Sequence, residues 1–419
     1  MKVVFLNDLD DPRIGSSIRQ MYQEAERLRE LGHEAHIVSS TQDQSSVGRT
    51  EILGTPVHRL FSDYPARFRA WVALSNRQVR GPFQKLLAEL KPDIVHSHLL
   101  HTHLSYGLLT DARNAGAGVV FTAHDVMTFC YQKLTCFHGG EKHKGELRDY
   151  QARASKCIPC QRFRFRPGRN RAIAKILARD VDRFTVVSDE LGRAISANGI
   201  RVDRTVHNAI REQAVIPSAS DLAEFQERFG LVGNKVLAIG GRLHEQKGVV
   251  QLFRMLGVLR ARFPALRLLV MGHRKVYDSE FAAAARDLGV DDLVVPTDWL
   301  NGEELQCAYA ATDVFVTPSI CFDTFGMVNL EAMEHRKPVV ATVFGGSQEV
   351  VQEGVTGLIA NPIDTAAFAE KIAELLGDPE RARAMGEAGY LRLQAHFTIE
   401  RLTAEYLEEY ERALASRPA

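Results

Sequence analysis

The sequence predicts an α/β protein made of two doubly wound, parallel-sheet domains facing each other across a cleft. Three observations carry that prediction. With 419 residues the chain exceeds one average domain. Short β-branched runs alternate with helical stretches, the grammar of a parallel sheet covered on both faces. The same alternation restarts after a non-periodic stretch in mid-chain. Two such sheets set strand C-terminal ends, and the ligand loops that follow them, along a shared cleft.

In chain order, KVVFL at residues 2–6 reads as the first strand, followed by a helix over about 17–31, with Gly32 where a C-cap glycine belongs. HEAHIVSS, PDIVHSH from Pro92, GVVFTAH from Gly118 and RFTVVS from Arg183 read as further strands with helical patterns between most of them. REQAVIPSASD, residues 211–221, has no periodicity and carries Pro217 among small polar residues, so it reads as the linker. KVLAIGG at 235–241, a helix over about 249–263, LRLLVMG, DVFVTP and PVVAT then repeat the pattern. The expected organisation is a first domain at 1–212 containing a cysteine insert at about 130–160, a second domain at 213–397, and an amphipathic helix at 398–419 able to pack on either domain and expected back on the first.

Hydrophobic residues at 45% and charged residues at 25% exclude disorder and fibrous repeats. Lys plus Arg and Asp plus Glu are 52 each, so no global field favours nucleic acid or anionic lipid. The apolar start is too short for a signal-peptide core, and no apolar run approaches the roughly 18 residues of a membrane span. The expected compartment is therefore cytoplasmic and reducing, where the six cysteines are thiols or metal ligands.

The segment VLAIGGRLHEQKGVVQLF runs from a strand through Gly240 and Gly241 into a helix beginning near Gly248. Glycines let backbone N–H groups approach an anion, a helix N-terminus adds partial positive charge, and Arg242 and Lys247 supply a fork and a point charge, as a diphosphate requires. The plainer alternative is a strand-to-helix turn with two solvated cations. In TPSICFDTFGMVNLEAMEHRKPVVATVFGGS, seven residues separate Asp323 from Glu331. The first acid precedes a helix over 327–335 and the second lies about one and a half turns inside it. Free N–H groups at Phe325, Gly326, Met327 and Val328 are able to bind hydroxyls or phosphate; taken singly, Asp323 also reads as a helix cap and Glu331 as a solvated acid.

In the first domain His124 follows a strand and is expected at its C-terminal end. A neutral imidazole there accepts a hydroxyl hydrogen bond or stabilises charge. His96, His98, His101 and His103 invite a metal reading, with His96 and His98 on one strand face. Asp8-Leu9-Asp10 reads as loop. Cys130, Cys136, Cys157 and Cys160 are spaced so that four thiolates are able to meet one tetrahedral zinc, an iron–sulfur cluster being the lesser version and an unliganded loop the alternative. QRFRFRPGRNR, with Arg162, Arg164 and Arg166 around Phe163 and Phe165, and ARFRAWVALSNRQVRG, with Arg67, Arg69 and Trp71, point to anionic lipid or an acidic acceptor, solvated helix faces being the plainer explanation of each.

The order and spacing of these motifs resemble family 4 of the retaining glycosyltransferases, which has the glycosyltransferase B fold of two Rossmann-like domains. The resemblance covers nearly the whole chain and is strongest from 235 to 360. It implies that Arg242 and Lys247, with Gly241, hold the diphosphate of a UDP- or GDP-sugar. Glu331 would bind the ribose, while Asp323 and the backbone at Phe325 and Gly326 would hold the donor sugar. His124 matches the family's histidine near that sugar. Gly15 and Ser16 stand where the family has a glycine pair admitting donor phosphate and acceptor, and Asp323 stands where it usually has Glu. The implied activity is nucleotide-sugar-dependent hexosyl transfer, with no catalytic cofactor required. The expected acceptor is a glycan, a lipid-linked glycan or a small molecule, in cell-surface polysaccharide or glycoconjugate synthesis, and the basic, aromatic stretches add an expected peripheral contact at the inner face of a membrane. A nucleotide-sugar epimerase, a sugar phosphorylase and a zinc-supported nucleic-acid-binding protein are the rival readings; zero net charge and the lack of a recognised docking helix count against a nucleic-acid partner.

Overall fold

The computed structural model describes residues 1–416, apart from the side chain of Ser16. Arg417, Pro418 and Ala419, at the end of the expected 398–419 segment, lie outside the described residues. The chain divides into two compact units, the first of residues 1–134, 150–211 and 399–419, the second of residues 135–149 and 212–398.

The first unit holds β1 (Lys2–Asn7), β2 (Glu34–Thr41), β3 (Gly48–Ile52), β4 (Thr55–Phe61), β5 (Ile94–Leu99), β6 (Gly118–Ala123), β7 (Arg183–Val186) and β8 (Arg204–Thr205). They form one sheet in the order β3-β4-β2-β1-β5-β6-β7-β8, parallel except for the β3–β4 hairpin. The helix Ser16–Glu30 after β1 ends in a Schellman turn: Gly32 sits at φ 81°, its N–H bonds Arg29 O, and the His33 N–H bonds Leu28 O. The C-terminal helix Ile399–Ala415 packs here, burying Leu402, Tyr406, Tyr410 and Ala413 in the same core as Val3, Phe5 and Ile37.

The second unit holds β9 (Lys235–Gly240), β10 (Leu266–Met271), β11 (Val294–Pro296), β12 (Val314–Thr317), β13 (Val339–Thr342) and β14 (Gly357–Ala360), all parallel in the order β11-β10-β9-β12-β13-β14. β9, VLAI within it, is apolar on both faces, as a strand covered by helices on each side must be. The helix Val249–Leu259 packs Leu252, Phe253 and Leu256 on Leu237 and Ile239 of β9. The strand order reverses between β9 and β12, so the loops after those two parallel strands flank the topological switch point, where open α/β sheets bind ligands.

The cysteine insert departs from expectation. Residues 135–149, anticipated within the first domain, belong to the second unit. The physical reason is aromatic burial. Phe137 is fully buried with its ring edge-on to Phe322 and Phe344, and His138 stacks on Phe344 at 4.8 Å. The Gly140 N–H donates to His138 Nδ1, so Nε2 carries the proton and donates to Ile320 O at 2.9 Å. Asn361 fixes the far end of this strap through Lys144 O.

Candidate functional site

In the second unit the loop after β9 starts at Gly241, φ 99°, whose N–H bonds Met271 O, and ends in a short turn Glu245–Lys247 before the helix Val249–Leu259. Gly248 joins this loop to the one after β12: at φ 77° a Cβ there would lie 1.9 Å from Pro318 O, so no other residue fits. The Ile320 N–H donates to Gln246 O at 2.9 Å, closing the two loops together. A Cβ on Gly241 would contact Val328 at 3.5 Å, which sets the loop after β9 against the start of the helix Met327–Glu334.

The two cations of the loop differ. Lys247 Nζ lies 3.4 Å from Asp323 Oδ2, and the Asp323 carboxylate is the main influence holding its ammonium above the ordinary lysine range. Arg242 is exposed and has no hydrogen-bond or ion-pair partner among the described residues. An unpaired guanidinium beside a helix start is a ready anion fork.

Asp323 is buried at 7% exposure and is not a helix cap. The cap is Gly326, and no side chain caps that helix, nor does its first turn carry an acid. The backbone of Asp323 is held by a bridge to Gly345 and by the Gly346 N–H. Both side-chain partners of Asp323, Ser319 Oγ at 3.2 Å and Lys247 Nζ, meet Oδ2. Oδ1 accepts nothing among the described residues and is open to a ligand hydroxyl. Glu331 is half-buried and receives the Tyr309 hydroxyl at 3.3 Å, while Tyr309 stacks on His335 at 4.2 Å. Phe325 is core, its ring against Phe397, so only its backbone is available to a ligand. Met327 and Val328 are half-buried at the helix start.

Sequence reasoning passed over Asn329 and Ser347. Asn329 accepts from Thr317 Oγ1, but its Nδ2 and Ser347 Oγ are buried without a partner among the described residues, both beside Gly326. The one signal was an amide inside the apolar helix run MVNLEAM.

In the first unit, Gly15 is the N-cap of the helix Ser16–Glu30, again with no side-chain cap and no acid in the first turn. Asp8, read as loop, is a buried anchor: its carboxylate accepts the N–H groups of Thr102, His103 and Leu104 and so shapes the segment after β5. Burial outweighs those bonds and raises its acid. His124 follows β6 and is buried, with Nε2 2.7 Å from His98 Nδ1. Burial depresses both rings, His98 well below the usual range and His124 to about 3, so the pair is neutral. Glu24, His96 and His98 set one ligand atom each within 4.8 Å, but His96 gives both ring nitrogens to hydrogen bonds, with the Tyr410 hydroxyl and Thr122 Oγ1. They serve the core rather than a metal.

None of the six cysteines is in a disulfide. Cys130, Cys157 and Cys160 belong to the first unit, the latter two on the helix Ala154–Gln161, and Cys136 opens the turn Cys136–His138 of the second.

Residues 16–209 match the family described as Glycosyl transferase 4-like domain, and residues 223–392 that described as Glycosyl transferases group 1. The chain is similar to a GDP-mannose-dependent alpha-(1-6)-phosphatidylinositol monomannoside mannosyltransferase of Mycolicibacterium smegmatis, 37% identical over 179 residues, 41% of this chain and 47% of that one. A D-inositol 3-phosphate glycosyltransferase of Arthrobacter sp. is 32% identical over 214 residues, 48% of this chain and 50% of its own. The chain thus spans about half the length of the curated relatives it matches. Among solved structures, a sucrose-phosphate synthase from Thermosynechococcus elongatus superposes with TM-score 0.77 at 19% identity, covering 99% of this chain and 100% of that one. Anabaena HepE in complex with UDP-glucose gives 0.72 at 18%, covering 98% and 99%. At such identities the likeness is one of fold.

Proposed function

Since the chain belongs to family 4 of the glycosyltransferases and has their glycosyltransferase B fold, we propose that it is a retaining hexosyltransferase moving a sugar from a nucleoside-diphosphate sugar to an acceptor hydroxyl. The observation that carries this reading is the loop pair at the β9/β12 switch point. It combines an unpaired Arg242, the Lys247–Asp323 pair, an uncapped helix start and Asp323 Oδ1 open to a hydroxyl. Arg242, Lys247 and the Gly241 backbone hold the diphosphate, Glu331 the ribose, and Asp323 with the backbone at Phe325 and Gly326 the sugar. For Gly15 and Ser16, at the start of the helix Ser16–Glu30, the proposed role is contact with donor phosphate and acceptor, and for His124 it is orientation of the reacting sugar.

In the retaining course the anomeric carbon–oxygen bond to the β-phosphate breaks and the acceptor oxygen bonds that carbon from the same face. The departing phosphate takes the acceptor proton. The protein's share is positioning and stabilisation of the leaving diphosphate. UDP- and GDP-sugars are the donors to try first, since one similar protein is named as GDP-mannose-dependent and one similar structure holds UDP-glucose. The acceptor is a glycan, a lipid-linked glycan or a small molecule, with cell-surface glycoconjugate synthesis as the setting and the cytoplasm, up to the inner membrane face, as the place. A structural zinc, or less readily an iron–sulfur cluster, on Cys130, Cys136, Cys157 and Cys160 is proposed from their spacing in the sequence.

The test is to incubate the protein with a panel of UDP- and GDP-sugars and acceptors and to follow nucleoside-diphosphate release and the anomeric configuration of the product. Transfer with retained configuration supports the reading. Release of nucleotide from no donor, or an inverted product, rejects it.

A further inference from the structure

The two basic, aromatic stretches of the first unit form one surface, and its composition departs sharply from the rest of the chain. Residues 64–88 carry five Lys or Arg and residues 150–179 carry nine, with no Asp or Glu in either, although the protein has 52 acids among 419 residues. The stretches are joined through Tyr131 and Arg166. Arg69 donates to Tyr131 O at 2.5 Å, the Tyr131 hydroxyl donates to Arg166 O at 2.9 Å, and the Arg166 guanidinium reaches Ala70 O and lies over the Trp71 ring.

Large apolar side chains stand out from this surface: Phe163 is 75% exposed, Ile158 49%, Phe68 45% and Trp71 41%. Arg67 lies over Phe68 and Arg164 over Phe163, while Arg67, Arg162 and Arg164 have no acidic partner among the described residues. Exposed apolar groups of this size, gathered in one place, mark an interaction surface.

We propose that this face of the first unit docks on the surface of an anionic bilayer, Phe163, Ile158 and Trp71 entering the headgroup boundary and the arginines taking lipid phosphates as bidentate ligands. Two features select that partner. Arginine forks match phosphate, and Arg67, Arg162 and Arg164, with no acidic partner among the described residues, are complementary to anionic lipid. Four exposed apolar side chains are wasted on an acidic glycan but gain burial in an acyl boundary. Nucleic acid is less suited, because the exposed groups that carry the face, Arg67, Phe68, Trp71, Ile158, Arg162, Phe163 and Arg164, sit on short turns and helices, Ala66–Phe68, Arg69–Val72, Ala154–Gln161 and Arg162–Arg164, too short to read a groove.

The experiment is co-sedimentation of the full chain with vesicles of phosphatidylcholine alone, or of phosphatidylcholine and phosphatidylglycerol in equal parts. Wild type, Arg162→Ala/Arg164→Ala and Phe163→Ser are compared, with heparin affinity measured beside them. Wild type is expected on the mixed vesicles and scarcely on phosphatidylcholine. Two lost charges reduce binding about thirtyfold, each contributing roughly fivefold. Phe163→Ser reduces it about tenfold at constant charge. Thermal midpoints and nucleoside-diphosphate binding stay unchanged, so the outcome is separable from that of the transfer assay. No binding to mixed vesicles, equal binding by all three proteins, or heparin binding lost in the arginine variant while vesicles are ignored would each overturn the proposal, the last assigning the face to a soluble polyanion.

Discussion

Replacing Asp323 by Asn isolates the charge that the donor sugar is proposed to meet. Oδ2 is occupied by Ser319 and by Lys247 at 3.4 Å, while Oδ1 has no partner among the described residues, so a sugar hydroxyl binds the charged group without displacing a protein bond. A hydrogen bond to a charged group contributes about 1.5–3 kcal/mol against about 1 for a neutral one. Losing the charge should therefore lower turnover by the difference, about 0.5–2 kcal/mol, or roughly twofold to thirtyfold. The side chain keeps its size, so folding should suffer little. Lys247, relieved of its anion, has more of its field to offer a phosphate, and nucleoside-diphosphate affinity should hold steady or rise slightly. Asp323→Glu should also reduce turnover, because one added methylene enters a buried position beside Ser319. The assay is steady-state transfer alongside calorimetric titration with nucleoside diphosphate. Full activity in Asp323→Asn, or a parallel loss of turnover and nucleoside-diphosphate affinity, would refute the division of labour between Asp323 and the cations.

Three further outcomes are expected. Burial lowers the folded-state pKa of His98 and brings that of His124 to about 3, so the unfolded chain takes up their protons as pH falls through about 6.5 while the folded chain does not. Their stability contribution is complete above that pH and is lost toward acid, by up to about 1.4 kcal/mol per pH unit for each ring. Denaturant midpoints from pH 7 to 5 should show a shallower decline in His124→Asn than in wild type, and identical slopes would contradict it. Phe137→Ala, which empties a fully buried site between Phe322 and Phe344, should cost about 3–5 kcal/mol in chemical denaturation; a cost below about 1 would show that residues 135–149 are not part of that core. Gently purified protein should contain about one zinc per chain, and Cys157→Ser should lower stability before donor affinity; neither zinc nor iron, with four freely titrating thiols, would dismiss the metal.

Much of the fold was legible because covered parallel strands are continuous apolar runs, and KVVFL, GVVFTA and VLAI announce themselves at the observed places. The β3–β4 hairpin was not. Its two-residue turn is Leu53-Gly54, both at positive φ, and leucine at a position usually held by Asn, Asp or Gly conceals the signal. Short β8 and β11 carry too few residues for any periodicity to show. The strap at 135–149 was invisible because its anchor is tertiary: nothing local to Phe137 and His138 announces that Phe322, Phe344 and Ile320 O will receive them. In the candidate site, residue types and spacing were enough to single out Arg242, Lys247, Asp323 and Glu331, since strand-loop-helix grammar fixes where such loops fall. Which cation is paired and which is not, the anchoring role of Asp8, and the buried amide of Asn329 depend on distances that no spacing contains.

The central claim is that the β9 loop is a diphosphate site, and Arg242→Ala tests it most directly because that side chain is exposed and has no partner among the described residues, leaving the fold undisturbed. Isothermal titration of wild type and variant with GDP and UDP, against guanosine and uridine, is the measurement. A diphosphate should bind wild type better than its nucleoside, and the variant should lose about 1.5–3 kcal/mol for the diphosphate, roughly ten- to a hundredfold, and almost nothing for the nucleoside. Unchanged diphosphate affinity in the variant, or equal losses for diphosphate and nucleoside, would contradict it.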